Sequence, residues 1–260
     1  MRIALISLDQ AWENKEKNIE RCSILAHKAR DHGADLVIFP EMTLTGFSMN
    51  ISNTAEDRKN STSVEFFREL ALNFGIAVLF GVVFLDAGKA TNDAIFIDKE
   101  GNLIGQYSKI HPFSYAGEDK FFNGGSQISS VNLGAITMGL TICYDLRFPE
   151  IYTALRECSV IVNIANWPAK RIAHWNVLLR ARAIENQVFI VGVNRIGIDS
   201  KGLEYLKSTQ VVTPNGDKLI SEKIEPELDI FKIEPNYVNE YRGSFPTIQD
   251  RKPAIYKNFL

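Results

Sequence analysis

The sequence predicts an α/β fold, because short apolar strands and amphipathic helical segments alternate along the whole chain. Several of the strand segments are apolar at consecutive positions, which is typical of strands that are covered on both faces. No linker, internal repeat or low-complexity tract interrupts the 260 residues. We therefore predict a single domain that spans residues 1–260.

Helical and strand patterns follow one another through the first half of the chain. Apolar residues recur at helical spacing over residues 14–32, and Gly33 ends that segment. A second helix is predicted over residues 63–73, with Ser63 as its cap. The strands predicted in this half are residues 3–8, 36–39, 76–83, 94–97 and 103–107, and the last two form a hairpin.

The second half continues the same alternation. Pro149 can begin a helix that ends at Arg156, and a longer helix is predicted over residues 173–186. Residues 214–217 carry turn-forming side chains and lead to a last hairpin. The strands predicted in this half are residues 131–133, 135–142, 160–164, 188–193 and 209–212.

Charge and composition narrow the class of partner and the compartment. The formal net charge of -2 gives no bulk attraction to nucleic acid or to an anionic membrane. No segment approaches the roughly 20 apolar residues of a membrane helix, and Asp9 interrupts the apolar start before it resembles a signal peptide. The cysteines Cys22, Cys143 and Cys158 lack metal-type spacing. We expect a cytoplasmic protein that needs neither a metal nor an organic cofactor.

Three predicted strands end in charged or nucleophilic side chains, namely Glu41, Lys109 and Cys143. Each has an ordinary explanation alone, as a loop carboxylate, a solvated lysine or a small buried thiol. Together they suit a thiol amidase. A free thiol with a pKa of about 8.5 is mostly protonated at neutral pH, so it needs a carboxylate base. A nearby positive charge favours the thiolate and can stabilise the tetrahedral oxyanion.

The segments around these residues resemble the nitrilase superfamily, the carbon–nitrogen hydrolases, and they occur in that family's order. The matching segments are residues 39–41, 107–111, 117–118 and 143–150. The resemblance implies that Glu41, Lys109 and Cys143 form a catalytic triad, and that Glu118 helps to position the substrate and the triad. It also implies a four-layer α-β-β-α sandwich that pairs into a homodimer.

Further segments are similar to the bacterial omega-amidases, which hydrolyse the terminal amide of 2-oxo-glutaramate and 2-oxo-succinamate. They are residues 45–49, 165–171, 174–187 and 241–246, whereas Pro112 stands where the family more often has leucine. The implied substrate is a small amide that carries a carboxylate. Arg171 could bind that carboxylate bidentately. Trp167 and Phe47 are expected as pocket residues, and the Tyr144 N–H as an oxyanion donor.

Several alternatives remain open. The same triad could serve repair of deaminated glutathione, N-carbamoyl hydrolysis or nitrile hydrolysis. A non-catalytic binding protein on the same fold is disfavoured, since no triad member is missing. Arg171 could be a surface arginine and Trp167 a core tryptophan. His111, Cys22 and Cys158 are expected to be structural.

Overall fold

The computed structural model describes residues 1–234 and 236–257 of the chain. Within these ranges, no helix combines the length and the apolar character that crossing a membrane requires. The strands are β1 (Arg2–Ile6), β2 (Leu36–Ile38), β3 (Ala77–Asp86), β4 (Lys89–Ile97), β5 (Leu103–Ser108), β6 (Ser129–Leu133), β7 (Ile136–Ile142), β8 (Val160–Ala165), β9 (Phe189–Asn194), β10 (Gly197–Ile198), β11 (Glu204–Tyr205), β12 (Gln210–Val212), β13 (Glu222–Glu225) and β14 (Leu228–Lys232). The helices are α1 (Lys15–Asp31), α2 (Ile51–Thr54), α3 (Thr62–Phe74), α4 (Glu118–Phe121), α5 (Pro149–Ala154), α6 (Ile172–Asn186), α7 (Tyr237–Ser244) and α8 (Pro253–Tyr256).

Most of the strands belong to two large sheets. One has seven strands in the order β13-β14-β1-β2-β3-β4-β5, and the other has five in the order β12-β9-β8-β7-β6. Strands β1, β2 and β3 run parallel at the centre of the first sheet, as do β7, β8 and β9 in the second. The carboxyl ends of parallel strands meet at one edge of a sheet, so residues that follow them are brought together.

The two sheets pack against each other, and helices cover their outer faces. In β1, Ile3 and Leu5 join the core that the two sheets share, whereas Ala4 and Ile6 pack with residues of α1 and α3. Residues of α5 and α6, Trp175 among them, pack on the second sheet. The layers are therefore helices, sheet, sheet and helices, which confirms the predicted α-β-β-α sandwich.

The start of α3 differs from the prediction. The cap is Ser61, whose hydroxyl accepts a hydrogen bond from the Val64 N–H at 3.1 Å. Ser63 lies in the first turn instead, and its hydroxyl donates to Glu56 Oε1 at 2.5 Å. The assignment of Ser63 as the cap was therefore wrong. Both serines can cap a helix, and both hydroxyls donate to Glu56, so residue type alone does not distinguish them.

Strand β4 begins earlier than the predicted residues 94–97. It pairs with β3 from Lys89 onwards, across a tight turn after Asp86. The added residues Thr91, Asn92 and Asp93 are polar but buried. Buried polar groups need hydrogen-bond partners, so this half of β4 indicates a polar cluster inside the fold. In the second half of the chain, α5 ends at Ala154, two residues before the predicted end.

Candidate active site

The predicted catalytic side chains converge at the carboxyl ends of β2, β5 and β7. Glu41 follows β2, Lys109 directly follows β5, and Cys143 directly follows β7. The Lys109 ammonium donates to Glu41 Oε1 at 3.0 Å and to Glu118 Oε2 at 2.8 Å. The side chains of Glu41, Lys109 and Glu118 are at most 1% exposed. The fold therefore gathers all four side chains into one region, with one ammonium shared by two carboxylates.

Cys143 lies at a sharp turn between β7 and a 3₁₀ helix over Cys143–Arg147. Its φ angle is +46°, in the left-handed region that disfavours residues with a Cβ atom. The Cys143 Sγ lies 3.9 Å from the Asn166 carbonyl oxygen, and the residue is 9% exposed. The strained turn thus leaves the thiol at the edge of the core, where it lines a cavity.

Asp145 fixes the Cys143 turn to the segment that carries Lys109. Its Oδ2 accepts hydrogen bonds from the Ile142 N–H at 2.9 Å and the Tyr107 hydroxyl at 2.7 Å. Its Oδ1 accepts from the His111 N–H at 3.1 Å, and the His111 Nδ1 lies 2.8 Å away. Sequence reasoning gave Asp145 no role. Its contacts, together with those of His111, hold the nucleophile and the cation in register.

Glu41 receives hydrogen bonds on both carboxylate oxygens. Oε1 accepts from Lys109 and from Asn92 Nδ2 at 2.8 Å, and Oε2 accepts from the Asn166 N–H at 2.8 Å. The Glu41 carbonyl oxygen accepts from Asn166 Nδ2 at 2.7 Å and Gln10 Nε2 at 3.0 Å. Asn92, Asn166 and Gln10 were not among the predicted site residues. They orient Glu41 before any substrate binds.

Gly81 on β3 is needed for this arrangement. A Cβ atom at this position would lie 2.3 Å from the Met42 nitrogen and 2.9 Å from the Glu41 Cα atom. The strand and the loop also exchange hydrogen bonds, because the Gly81 N–H donates to Thr43 Oγ1 at 2.9 Å. Any larger residue at position 81 would push the Glu41 backbone away from the sheet.

Burial and the two carboxylates determine the protonation states. Burial lowers the pKa of Lys109, but the charges of Glu118 and Glu41 outweigh it and raise that pKa overall, so the ammonium stays charged. Burial, supported by the charge of Glu41, raises the pKa of Glu118 despite the opposing effect of Lys109.

Burial, and then the charge of Glu41, raise the pKa of the Cys143 thiol well above its usual value. Lys109 favours the thiolate, as predicted, but its effect is outweighed by these two causes. The resting nucleophile is therefore a neutral thiol. Attack on a carbonyl then requires a base that removes the thiol proton during the reaction.

A cavity of about 200 Å³ lies above Cys143. Phe47, Tyr144, Trp167 and Arg171, which were predicted to bind substrate, all line it together with the thiol. The indole N–H of Trp167 donates to the Arg171 carbonyl oxygen at 2.8 Å. This hydrogen bond fixes the Trp167 ring to the backbone of residue 171.

Two guanidinium groups face this cavity without a carboxylate partner. Arg147 lies 4.9 Å from the Trp167 ring centroid and Arg171 lies 5.4 Å from the Phe113 centroid. Neither forms a salt bridge within residues 1–234 and 236–257. Cations held against aromatic faces and not neutralised by the protein suit an anionic ligand.

The β10–β11 ribbon completes the cavity wall and was not predicted. Its Tyr205 hydroxyl donates to Asp199 Oδ2 at 2.9 Å, and the buried Arg195 lies 4.6 Å from the Tyr205 ring centroid. Each strand is two residues long, which is too short for a periodic apolar pattern.

The remaining cysteines are outside this site. Cys22 and Cys158 are buried. Burial raises the pKa of both thiols, that of Cys158 to about 11. Burial raises the pKa of Cys143 as well, so position distinguishes the three thiols: Cys143 lines the cavity, and Cys22 and Cys158 do not. That Cys22 and Cys158 are unreactive stays a prediction.

Comparison with known proteins relates the whole chain to one family. A sequence model of the carbon–nitrogen hydrolase family matches residues 2–242. A 2-oxoglutaramate amidase of Paenarthrobacter nicotinovorans is 36% identical over 242 residues, which are 86% of this chain and 80% of that one. A protein described as a hydrolase in the agr operon of Staphylococcus aureus is 31% identical over 265 residues, which are 99% and 100%. The structure of XC1258 from Xanthomonas campestris, a CN-hydrolase superfamily protein with an arsenic adduct in its active site, has a TM-score of 0.90 at 28% identity and 97% coverage of each chain.

Proposed function

Because the chain belongs to the carbon–nitrogen hydrolase family and is a hydrolase of carbon–nitrogen bonds, we propose that it is an omega-amidase. It cleaves the terminal amide of 2-oxo-glutaramate or 2-oxo-succinamate to the dicarboxylate and ammonia. One observation carries the proposal: the Glu41–Lys109–Cys143 cluster adjoins a small cavity with two unneutralised guanidiniums. Identity of 36% to a 2-oxoglutaramate amidase supports the same substrate class.

In the acylation step, Glu41 accepts the Cys143 proton as Sγ attacks the amide carbon. Oε2 is the accepting oxygen, because it receives one short hydrogen bond whereas Oε1 receives two. The Lys109 ammonium and the Tyr144 N–H, which lies in the first turn of a 3₁₀ helix, stabilise the oxyanion. Glu41 then protonates the leaving nitrogen, the carbon–nitrogen bond breaks, and ammonia leaves an acyl thioester.

In the deacylation step, Glu41 removes a proton from water, whose oxygen attacks the thioester carbon. The carbon–sulfur bond breaks, the thiolate regains its proton from Glu41, and the dicarboxylate is released. Glu118 acts on Lys109 and not on the substrate carbonyl, since it accepts from Lys109 at 2.8 Å and from the Phe113 N–H at 2.5 Å. It holds the ammonium in place through both steps.

The cavity suits a small acid. Its volume of about 200 Å³ accommodates a chain of a few carbons, with Phe47 and Trp167 as apolar walls. Arg171 is the proposed partner of the substrate carboxylate, because a planar guanidinium binds a carboxylate with two parallel hydrogen bonds.

The decisive measurement is ammonia release from 2-oxo-glutaramate by the wild type and by Cys143→Ala. We expect the variant to remain folded and to lose at least about 1,000-fold in kcat, since removing a nucleophile removes the covalent pathway. Cys158→Ala is the matched control and should keep wild-type turnover. Comparable turnover in Cys143→Ala would contradict the mechanism.

A substrate panel separates the alternatives on the same triad. Faster hydrolysis of deaminated glutathione, of a nitrile, or of an N-carbamoyl amino acid with release of carbon dioxide would replace the omega-amidase assignment. A non-catalytic binding protein would turn over none of these substrates. Its Cys143 would also react with iodoacetamide no faster than Cys22 and Cys158.

We further propose a cytoplasmic homodimer. Val177 and Ile184 on α6 are 66% and 49% exposed, which supports a contact between copies through this helix. The three unpaired cysteines support a reducing compartment. Light scattering should give twice the chain mass of 29.3 kDa, and a monomer at micromolar concentration would refute the dimer.

A further inference from the structure

Asn92 on β4 contacts both carboxylates of the site. Its Nδ2 donates to Glu41 Oε1 at 2.8 Å and to Glu118 Oε1 at 3.1 Å, and the residue is 2% exposed. Its carbonyl oxygen accepts from the Lys109 N–H at 2.8 Å. An amide nitrogen carries two hydrogens, so both are committed to the carboxylates.

The side-chain oxygen of Asn92 indicates that the residue contributes to the site and not to stability. Asn92 Oδ1 is buried and has no hydrogen-bond partner among the described residues. An unsatisfied buried acceptor disfavours folding. An apolar side chain of similar size at this position would avoid that cost, but it would remove one of the two donors to Glu41 Oε1 and to Glu118 Oε1 and leave Lys109 as the other.

The charge balance explains what a neutral donor contributes here. Two buried carboxylates share the single ammonium of Lys109, which contacts both of them. Like charges in proximity disfavour ionisation of each other. Asn92 stabilises both ionised carboxylates and adds no charge that would compete with Lys109 for the oxyanion.

We propose that Asn92 is a positioning residue that, together with Lys109, holds Oε1 of Glu41 and leaves the free lone pair of that carboxylate on Oε2. Asn92 and Lys109 together occupy Oε1, whereas Oε2 is held by the N–H of Asn166, whose carbonyl oxygen is the hydrogen-bond partner of the Cys143 thiol. Without Asn92, Oε1 regains a free lone pair and the carboxylate loses a donor to its charged form. The inference rests on the proposed role of Glu41 as the base.

The test is the pH dependence of Asn92→Leu, which keeps the size and removes both donors. The general base acts in its deprotonated form, and loss of a hydrogen-bond donor to a carboxylate favours the protonated form, so the acid limb of kcat/KM should move to higher pH by about one unit. At pH 7 we expect kcat to fall at least about 10-fold while KM changes less than about 3-fold. The rate of Cys143 alkylation by iodoacetamide should show the same shift of its acid limb.

Asn163→Leu is the matched control. Asn163 is also buried on a strand, donates through Nδ2 to Thr141 Oγ1 at 3.0 Å and the Tyr152 hydroxyl at 3.1 Å, and has an unpartnered Oδ1. It should lower the melting temperature without moving the acid limb. Asn92→Ala, which also removes both donors, gives the same measurement if Asn92→Leu does not fold.

Two outcomes decide between the proposals. An unshifted acid limb in the Asn92 variants, with a stability loss like that of Asn163→Leu, would overturn the positioning role. If the wild type does not hydrolyse 2-oxo-glutaramate but alkylation still shows the shift, the role of Asn92 stands and the substrate assignment fails.

Discussion

The inner and outer halves of the site handle charge in opposite ways. In the inner half, each carboxylate oxygen of Glu41 and Glu118 accepts at least one hydrogen bond, and both side chains are fully buried. In the outer half, Arg147 and Arg171 lie against aromatic rings and have no carboxylate partner in the described part of the chain.

This difference separates two tasks. Catalysis requires donors and acceptors that are fixed before the reaction, so that no reorganisation accompanies charge development. Recognition requires a cation that is still unpaired in the free protein. The free energy of its pairing with an anionic substrate can then exceed the hydration free energy that the substrate loses on leaving water. Mutations in the inner half should therefore change kcat and stability, whereas mutations in the outer half should change KM.

The largest expected effect is that of Lys109→Met in the inner half. It leaves two buried carboxylates without a cation, which should cost about 3–5 kcal/mol of unfolding free energy and at least about 1,000-fold in kcat. The pKa of Glu118 is already raised in the folded protein and should rise further without Lys109. A carboxyl with a raised folded pKa contributes most stability below its unfolded value of 4.5, and that contribution is lost as pH rises through the folded value.

The stability deficit of this variant should therefore be larger at pH 8 than at pH 5, as measured by urea unfolding. Lys15→Met is the control, because Lys15 pairs with Glu56 at 2.6 Å but is 23% exposed and lies outside the site. It should cost less unfolding free energy than Lys109→Met, because Ser61 and Ser63 still donate to Glu56, and it should leave kcat unchanged. Equal deficits at the two pH values would show that the carboxylates do not depend on Lys109.

A smaller effect is expected for Arg171→Met in the outer half. Loss of a charge-assisted contact to the substrate carboxylate should raise KM about 10- to 100-fold, with kcat within about 3-fold. Lys170→Met removes the same charge from an exposed neighbour that does not line the cavity, and it should change KM less than about 2-fold. An unchanged KM in Arg171→Met would direct attention to Arg147 as the cation that binds the carboxylate.

The sequence predicted the catalytic side chains of the inner half, but not the uncharged residues that hold them in place. Glu41, Lys109 and Cys143 were predictable because each follows an apolar strand, and because the motifs around them resemble a known family. Asn92 was missed, since its role depends on pairing of β4 with β5, which places it beside Lys109. A visible signal was the polar run of Thr91, Asn92 and Asp93 before an apolar strand.

The other omissions have the same physical origin. Asn166 donates to Glu41 Oε2 through its backbone N–H. Every residue except proline has this donor, so the residue type does not reveal it. Tyr205 reaches the cavity from a two-residue strand, too short for a periodic pattern. The cap of α3 was misassigned to Ser63 because Ser61 lies two residues earlier, and a serine at either position can cap a helix.

At Cys143, the left-handed backbone makes the residue that is best for stability different from the residue that catalysis requires. A side chain in this conformation costs about 1–2 kcal/mol that glycine does not incur, so glycine is the better residue for stability and cysteine is required for turnover. Selection for thermal tolerance alone would thus drift towards an inert protein at this position. A redesign that aims to stabilise this enzyme has to hold residue 143 constant and seek its gains elsewhere.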